Sequence, residues 1–230
     1  MVDLDAARVF QESFLGVLPE TVRCDLASGA RVLELPAGRL IYDPQLSIIA
    51  NGTLRAFVDD GSGRHLTVSY VNRPQAIGVG GAAGREFPVA FQAVTTCTVL
   101  RLSQVRFDEI RKCHAEVGWA AAEELAHYLD DVLAEIARVA FQPVRARIAH
   151  HLLKLTDSDE REKNPIHQVE LAAAVGSVRE VVNRTVGTMR DAGLVNVSQA
   201  GVIPLDTDGL RHVAGQKEWC SDARCDKSPT

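Results

Sequence analysis

Four polar side chains stand close together at helical spacing: Arg179, Glu180, Asn183 and Arg184. The first and third are four residues apart, as are the second and fourth, so a helix would present all four along one side. Arginine can donate two hydrogen bonds to guanine, and glutamate can accept one from the amino group of cytosine. The pattern therefore predicts a helix that contacts base edges of DNA. The alternative is a salt bridge between Glu180 and Arg184 on a solvated helix face.

The residues just before this group have the order of a helix-turn-helix. Ala172, Gly176 and Val182 follow one another at intervals of four and six residues. A small residue lets two helices approach closely, glycine takes the turn conformation, and a branched residue fills the joint. The second helix is expected to begin near Val178, and in this motif its N-terminal end enters the major groove.

The flanks of this motif favour a winged helix. A preceding helix is indicated by four apolar residues that share one face: Val144, Ile148, Leu152 and Leu155. After the motif, Leu194–Val197 and Val202–Leu205 are short runs rich in branched residues, separated by a Ser-Gln-Ala-Gly turn. They predict a small β-hairpin where a winged helix places its wing.

A long helix is predicted from Glu116 to Phe141. The segment has no proline and a single glycine, and six apolar residues follow intervals of three and four: Ala122, Leu125, Leu129, Val132, Ile136 and Val139. Such a narrow seam is typical of a helix that pairs with a second copy of itself. The alternative is an amphipathic helix that lies on its own domain. Gln142 and Pro143 end or kink the helix.

The first third of the chain has the pattern of short antiparallel strands. Runs of branched and aromatic residues are separated by turn signals: 31–35, 39–42, 46–50, 53–58 and 65–71. Asn51–Gly52 predicts a tight hairpin between two of them, and residues 92–102 are expected to form one further long strand. With a helix near residues 5–15, these elements predict a sandwich or a barrel-like roll.

Composition limits the class of protein. The 230 residues are 46% hydrophobic and 24% charged, which is the balance of a globular chain rather than a disordered one or a coiled-coil rod. No uncharged apolar stretch reaches the length of a membrane span, and Met1–Asp5 lacks the pattern of a secretion signal, so a cytoplasmic location is expected. The net charge of −5 lies entirely in residues 1–141, so it gives little argument against a DNA partner for the remainder.

Taken together, these motifs resemble the CRP/FNR family of bacterial transcription regulators, from about residue 10 to residue 214. The resemblance rests on Leu35–Gly38, Asn51–Phe57, Leu66–Val71, Phe107–Ile110, His114–Glu116, Val139–Phe141, Arg147–Ala149, Val175–Gly176 and Arg179–Arg184. It implies an α+β chain with four parts: an antiparallel, cyclic-nucleotide-binding-like β-roll (1–115), a dimerisation helix (116–141), a winged helix-turn-helix (142–214) and a flexible tail (215–230).

The resemblance also implies roles for single residues. In the cyclic AMP receptor branch of the family, the matching Arg, Glu and Arg read a TGTGA-like half-site. Phe141, Gln142 and Pro143 become the hinge between domains. Val178 occupies the position where the family usually has a capping Ser or Thr, which leaves Ser177 as a substitute cap. The implied partners are double-stranded DNA, a second copy of the chain and RNA polymerase, with no membrane.

The effector site departs from the family pattern. Members that bind cyclic nucleotides carry Gly-Glu followed by Arg-Ser, which hold the ribose and the cyclic phosphate. Here Val79 follows Gly78 in place of glutamate, and Phe87 and Pro88 stand where Arg-Ser belong. Cyclic AMP is therefore not expected as a cofactor, unless Arg85 serves the phosphate in a shifted register. Three alternatives remain. The pocket holds another ligand, it is filled by its own side chains, or the protein is active without any effector.

The remaining reactive residue types form no further motif. The five cysteines and the histidines lack the spacing of a metal or iron–sulfur site. Cys113 has three basic neighbours, Arg111, Lys112 and His114, and is a candidate redox-reactive thiol. No phosphate loop or nucleophile motif indicates an enzyme. The alternative function is a cytosolic sensor, of a cyclic nucleotide or of redox chemistry at cysteine, whose helix-turn-helix contacts proteins rather than DNA.

Overall fold

The computed structural model describes residues 6–61, 65–82, 84, 88–157, 165–199 and 201–215. The chain divides into two compact units, with the main boundary between Phe141 and Gln142; the short segment Ala173–Gly176 groups with the first unit. The described strands pair only in antiparallel fashion, and helices occur in both units. The predicted α+β class with antiparallel sheets is therefore confirmed.

The described part of the first unit contains two four-stranded sheets. Its strands are β1 (Arg31–Leu35), β2 (Leu40–Ile41), β3 (Ser47–Asn51), β4 (Thr53–Asp59), β5 (His65–Asn72), β6 (Ala76–Ile77), β7 (Ala90–Ala93) and β8 (Cys97–Arg101). One sheet has the strand order β1-β8-β3-β6 and the other the order β2-β7-β4-β5. Its helices are α1 (Ala6–Glu12), α2 (Glu20–Ala27), α3 (Val79–Ala82), α4 (Gln104–Cys113) and α5 (Ala115–Phe141), with a 3-10 turn at Phe14–Val17.

Two buried apolar clusters hold this unit together. The first draws side chains from both sheets and so lies between them; it includes Ile49, Leu54, Phe91 and Val99. The second joins the opposite face of the β1-β8-β3-β6 sheet to the helices; it includes Phe10, Leu15, Ile48, Leu100, Phe107 and Val117. Helix α5 packs against both clusters, through Val132 on the first and Leu125 on the second. The long helix is thus fixed along one side to the roll.

The prediction of a single strand over residues 92–102 is wrong. The segment forms β7 and β8, which belong to different sheets, and the chain passes from one sheet to the other between them. Thr95 lies in this crossing, where its hydroxyl accepts the Thr53 N–H at 3.0 Å. Branched residues continue through the crossing, so composition alone does not reveal where one strand ends.

The hairpin predicted at Asn51–Gly52 is also wrong. β3 pairs with β8 and β6, whereas β4 pairs with β5 and β7, so these two residues connect the sheets. Gly52 has a φ of 86°, and an added Cβ would lie 2.6 Å from the carbonyl oxygen of Thr96. The glycine is needed because two backbone segments pass close together there, not because a two-residue turn closes a hairpin.

The second unit is mainly helical. It contains α6 (Val144–Asp157), α7 (Gln168–Ala174), α8 (Arg179–Asp191), β9 (Val195–Ser198), β10 (Gly201–Pro204) and α9 (Thr207–Val213). β9 and β10 form the predicted hairpin. Helix α9 was not among the predicted elements; it begins where the Asp206 carboxylate accepts the Gly209 N–H at 2.9 Å. Among the described residues, no helix is long and apolar enough to cross a membrane.

Candidate nucleic-acid interface

The predicted helix-turn-helix consists of α7, α8 and the turn between them. Ala172 on α7 and Val182 on α8 are buried, with 5% and 0% of their surfaces exposed. Gly176 has a φ of 60°, a left-handed conformation that glycine adopts without steric cost. The Ser177 N–H donates to the Ala172 carbonyl oxygen at 3.1 Å and closes the turn. The small residue, the glycine and the branched residue therefore occupy the positions that the spacing predicted.

Helix α8 has one buried and one exposed face. Its buried residues are Val182, Val186 and Met189. The four predicted base-contacting residues are all exposed: Arg179, Glu180, Asn183 and Arg184. Within the described part of the chain none of these four side chains has a hydrogen-bond or ion-pair partner, so the alternative salt bridge is not formed. Arg190 on the same helix, by contrast, pairs with Asp191 at 2.9 Å. The exposed face offers two guanidinium groups, a carboxylate and an amide to a partner.

The N-terminal end of α8 lacks a side-chain cap. Val178 is the N-cap residue, in an extended conformation, and makes no capping hydrogen bond. Ser177 is half-buried and precedes the cap position, so the expectation that it replaces the missing cap is not met by this geometry. The first N–H groups of α8 therefore remain available as donors, beside two arginines.

The predicted wing follows α8 directly. β9 and β10 pair from Val195 with Pro204 to Ser198 with Gly201, and Ala200 at the tip lies outside the described residues. Strand β10 is tied to the segment before α7, because the Ile166 and Val202 backbones exchange hydrogen bonds of 3.1 and 2.9 Å. In β9, Val195 is buried and its neighbour Asn196 is exposed, so the strand has one packed and one open side.

Comparison with known proteins agrees with this geometry. Residues 146–213 match the model of the Crp-like helix-turn-helix domain. The cAMP-activated global transcriptional regulator Vfr of Pseudomonas aeruginosa is 24% identical over 173 residues, which cover 70% of this chain and 81% of Vfr. A CRP/FNR family transcriptional regulator from Thermus thermophilus superposes with a TM-score of 0.68 at 26% identity, covering 80% of this chain and 98% of that one. Together these matches support a transcription regulator of the CRP/FNR family, with a Crp-like helix-turn-helix domain at residues 146–213.

A further CRP/FNR structure supports the fold over a larger share of the chain. The putative regulator from Eubacterium rectale has a TM-score of 0.75 at 21% identity and covers 87% of this chain and 96% of that one. The chain therefore shares the fold of that protein over most of its length.

The long helix α5 carries its exposed apolar residues in a different register from the predicted seam. Leu125 and Val132 pack against the roll, and Val139 is half-buried. Ala122, Leu129 and Ile136 are exposed. With four exposed residues outside the predicted seam, they form an unbroken series at intervals of three and four, which we name the outer stripe: Trp119, Ala122, Ala126, Leu129, Leu133, Ile136 and Ala140. The proposed hinge residue Phe141 follows it and is exposed, and Gln142 and Pro143 precede α6.

Two of the predicted effector-pocket residues lie outside the described residues, namely Arg85 and Phe87. Gly78 sits against the backbone of Pro44 and Gln45, which leaves no room for a side chain. Val79 is 2% exposed and belongs to the second apolar cluster, which joins the β1-β8-β3-β6 sheet to the helices. Pro88 is exposed.

The cysteines differ in their surroundings. Cys113, the predicted redox candidate, and Cys24 are exposed free thiols, while Cys97 is buried. The Cys97 thiol lies 3.3 Å from the Thr53 carbonyl oxygen and 3.2 Å from that of Thr95, and burial raises its pKa. Cys220 and Cys225 lie outside the described residues. In the ranges that the structure describes, no group of three or more His, Cys, Asp or Glu side chains could hold a metal ion.

Proposed function

We propose that this CRP/FNR regulator acts as a homodimer that reads a two-fold TGTGA-like operator. The observation that carries the proposal is the exposed face of α8, on which Arg179, Glu180 and Arg184 have no partner in the described chain. Each arginine suits guanine O6 and N7, and the carboxylate suits a cytosine amino group. Asn183, on the flank of the same face, adds a donor and an acceptor for a base or a phosphate.

The outer stripe supports the proposed dimer. Its seven residues are exposed in the single chain and keep the three-and-four spacing of a coiled-coil seam through most of α5. Pairing of two such helices would place two copies of α8 about a two-fold axis, and half-sites about 34 Å apart would match one turn of DNA. A two-fold operator is therefore the DNA sequence that suits this arrangement.

The proposed regulator works without cyclic AMP. At the place of the family glutamate it has Val79, which is part of the apolar core. It acts in the cytoplasm, where its DNA and RNA polymerase are found. Vfr is described as cAMP-activated, so a cyclic nucleotide remains the ligand to test first.

Binding to a TGTGA-N6-TCACA duplex, measured by fluorescence anisotropy at several salt concentrations, tests the readout. Loss of one bidentate arginine contact costs about 1–3 kcal/mol and the dimer loses two, so Arg179→Ala and Arg184→Ala are each expected to weaken binding by about thirtyfold or more. Arg190→Ala is the matched control, because Arg190 lies on the same helix but pairs with Asp191. Unchanged affinity in the Arg179→Ala, Arg184→Ala double variant would refute the assignment.

One observation favours the second candidate function, a cytosolic sensor whose helix-turn-helix contacts a protein. The uncapped start of α8 exposes Val178 and Val181 beside the charged residues. An apolar pair at this end suits a protein surface better than a phosphate backbone. This alternative predicts no salt-dependent affinity for DNA of any sequence.

A further inference from the structure

Three polar side chains of α5 face the β-roll. Glu124, Tyr128 and Asp131 follow one another at intervals of four and three residues, so they lie on one side of the helix. Each forms a hydrogen bond with β5 or β6. We name this set of hydrogen bonds, from the three side chains to Ala76 and Ser69, the clamp.

The first half of the clamp occupies the free edge of β6. β6 is the edge strand of its sheet, and backbone groups at an edge otherwise need water or another chain as partners. The Ala76 N–H donates to Glu124 Oε1 at 3.2 Å. The Tyr128 hydroxyl lies between Glu124 Oε1, at 2.8 Å, and the Ala76 carbonyl oxygen, and donates its proton to this pair of acceptors. Both outward backbone groups of Ala76 are thus satisfied by α5.

The second half of the clamp holds the neighbouring strand. The Ser69 hydroxyl on β5 donates to Asp131 Oδ2 at 2.6 Å. The turn from β5 to β6 is itself closed, because the Gln75 N–H donates to the Asn72 carbonyl oxygen at 2.7 Å. Helix α5 therefore holds both strands that flank one closed turn.

The clamp lies in a protected environment. Glu124 is 8% exposed, so water has little access to its hydrogen bonds. Burial and the neighbouring Glu124 carboxylate raise the pKa of Tyr128, which keeps its hydroxyl protonated as a donor. Directly after Asp131, Val132 packs into the cluster between the sheets, and further along the helix Glu135 and Arg138 form an ion pair of 2.8 Å. Along this side of α5, polar groups have partners within the chain and apolar groups lie in the core.

We propose that the clamp takes the place of an effector. In this view it holds α5 on the roll in the form of the dimer that binds DNA, with no small molecule required. The inference rests on the proposed DNA-binding function. A ligand favours one conformation only through contacts that the other conformation lacks. Direct hydrogen bonds from the helix to two strands can favour the same conformation without a ligand.

Removal of single hydroxyl groups tests the clamp. Tyr128→Phe and Ser69→Ala each delete one donor and leave the helix and the core packing in place. Operator affinity is measured by anisotropy, with and without cyclic AMP or cyclic GMP, and hydrogen exchange is followed in α5 and in β5–β6. We expect the unmodified protein to bind equally well with and without nucleotide. Each variant should bind about tenfold more weakly and exchange faster at α5. Tyr42→Phe is the matched control, because the Tyr42 side chain is 62% exposed and away from the clamp; its affinity should not change.

Other outcomes would overturn the inference. If the variants exchange faster at α5 but bind the operator with unchanged affinity, the clamp has a structural role only. If the variants bind the operator more tightly, or if a nucleotide raises the affinity of the unmodified protein, the clamp stabilises a form other than the one that binds DNA. If the unmodified protein binds no DNA sequence, the proposed function fails first and this inference fails with it, whereas operator binding that is insensitive to both variants refutes the clamp alone.

Discussion

Truncation of one leucine in the outer stripe should weaken the proposed dimer. Leu129 is 57% exposed in the single chain, so about half of its side chain remains to be buried by a partner helix. Full burial of a leucine contributes about 1.5–3 kcal/mol, which gives about 1 kcal/mol for this half. A two-fold dimer contains the residue twice, so Leu129→Ala should cost about 2 kcal/mol. The dimer dissociation constant should therefore rise about 30-fold.

Sedimentation equilibrium over a dilution series measures this constant, and Leu125→Ala provides the control. Leu125 is the same residue type on the same helix, but it packs against the core of its own chain. Its truncation should lower the free energy of unfolding by about 2 kcal/mol and change the dimer constant little. If Leu129→Ala leaves the dimer constant unchanged, or if Leu125→Ala weakens the dimer more, the outer stripe is not the dimer interface.

Two further predictions concern single side chains. Val178→Ser should supply the missing cap of α8 and raise the free energy of unfolding by about 1 kcal/mol in a urea titration; an unchanged midpoint would mean that Ser177 or water already satisfies these N–H groups. Because burial raises the pKa of Cys97, a thiol reagent near pH 8 should modify exposed Cys24 and Cys113 in the native protein but Cys97 only after unfolding. The folded protein holds the Cys97 proton more tightly than the unfolded chain does. The resulting contribution to the free energy of unfolding is complete below the ordinary cysteine pKa and should be lost as the pH rises above it. Peptide mapping by mass spectrometry distinguishes the sites, and fast modification of native Cys97 would contradict its buried position.

The helix-turn-helix could be predicted from sequence because its determinants are local. Ala172, Gly176 and Val182 lie within one short segment. Ala172 and Val182 are buried, and Gly176 adopts the left-handed turn conformation between their helices. The same holds for the wing, whose strands are joined by a tight turn. The exposure of Arg179 and Arg184 follows as well, since the apolar residues of α8 leave only one side free.

The roll could be predicted only in outline. Its strand-forming runs were recognised, but the sheet to which each strand belongs depends on partners far away in sequence. β3 and β4 are separated by one residue and yet belong to different sheets, as do β7 and β8. A turn signal such as Asn51–Gly52 describes only the local backbone, and here the crossing of two sheets uses the same glycine. The strand pairing is set by burial of both sheets against one core.

The sequence by itself determined the family resemblance, the order of roll, helix and helix-turn-helix, and which four polar residues α8 exposes. Periodicity also determined that α5 has an apolar seam, but two overlapping seams share Ala122, Leu129 and Ile136. Only the tertiary structure decided between them, because the roll covers Leu125 and Val132 and leaves Leu133 exposed. It also brought Ser69 and Ala76 to the side chains of Asp131, Glu124 and Tyr128. Contacts across some fifty to sixty residues have no local signature, because they depend on how the strands pack rather than on which residues are neighbours in the chain.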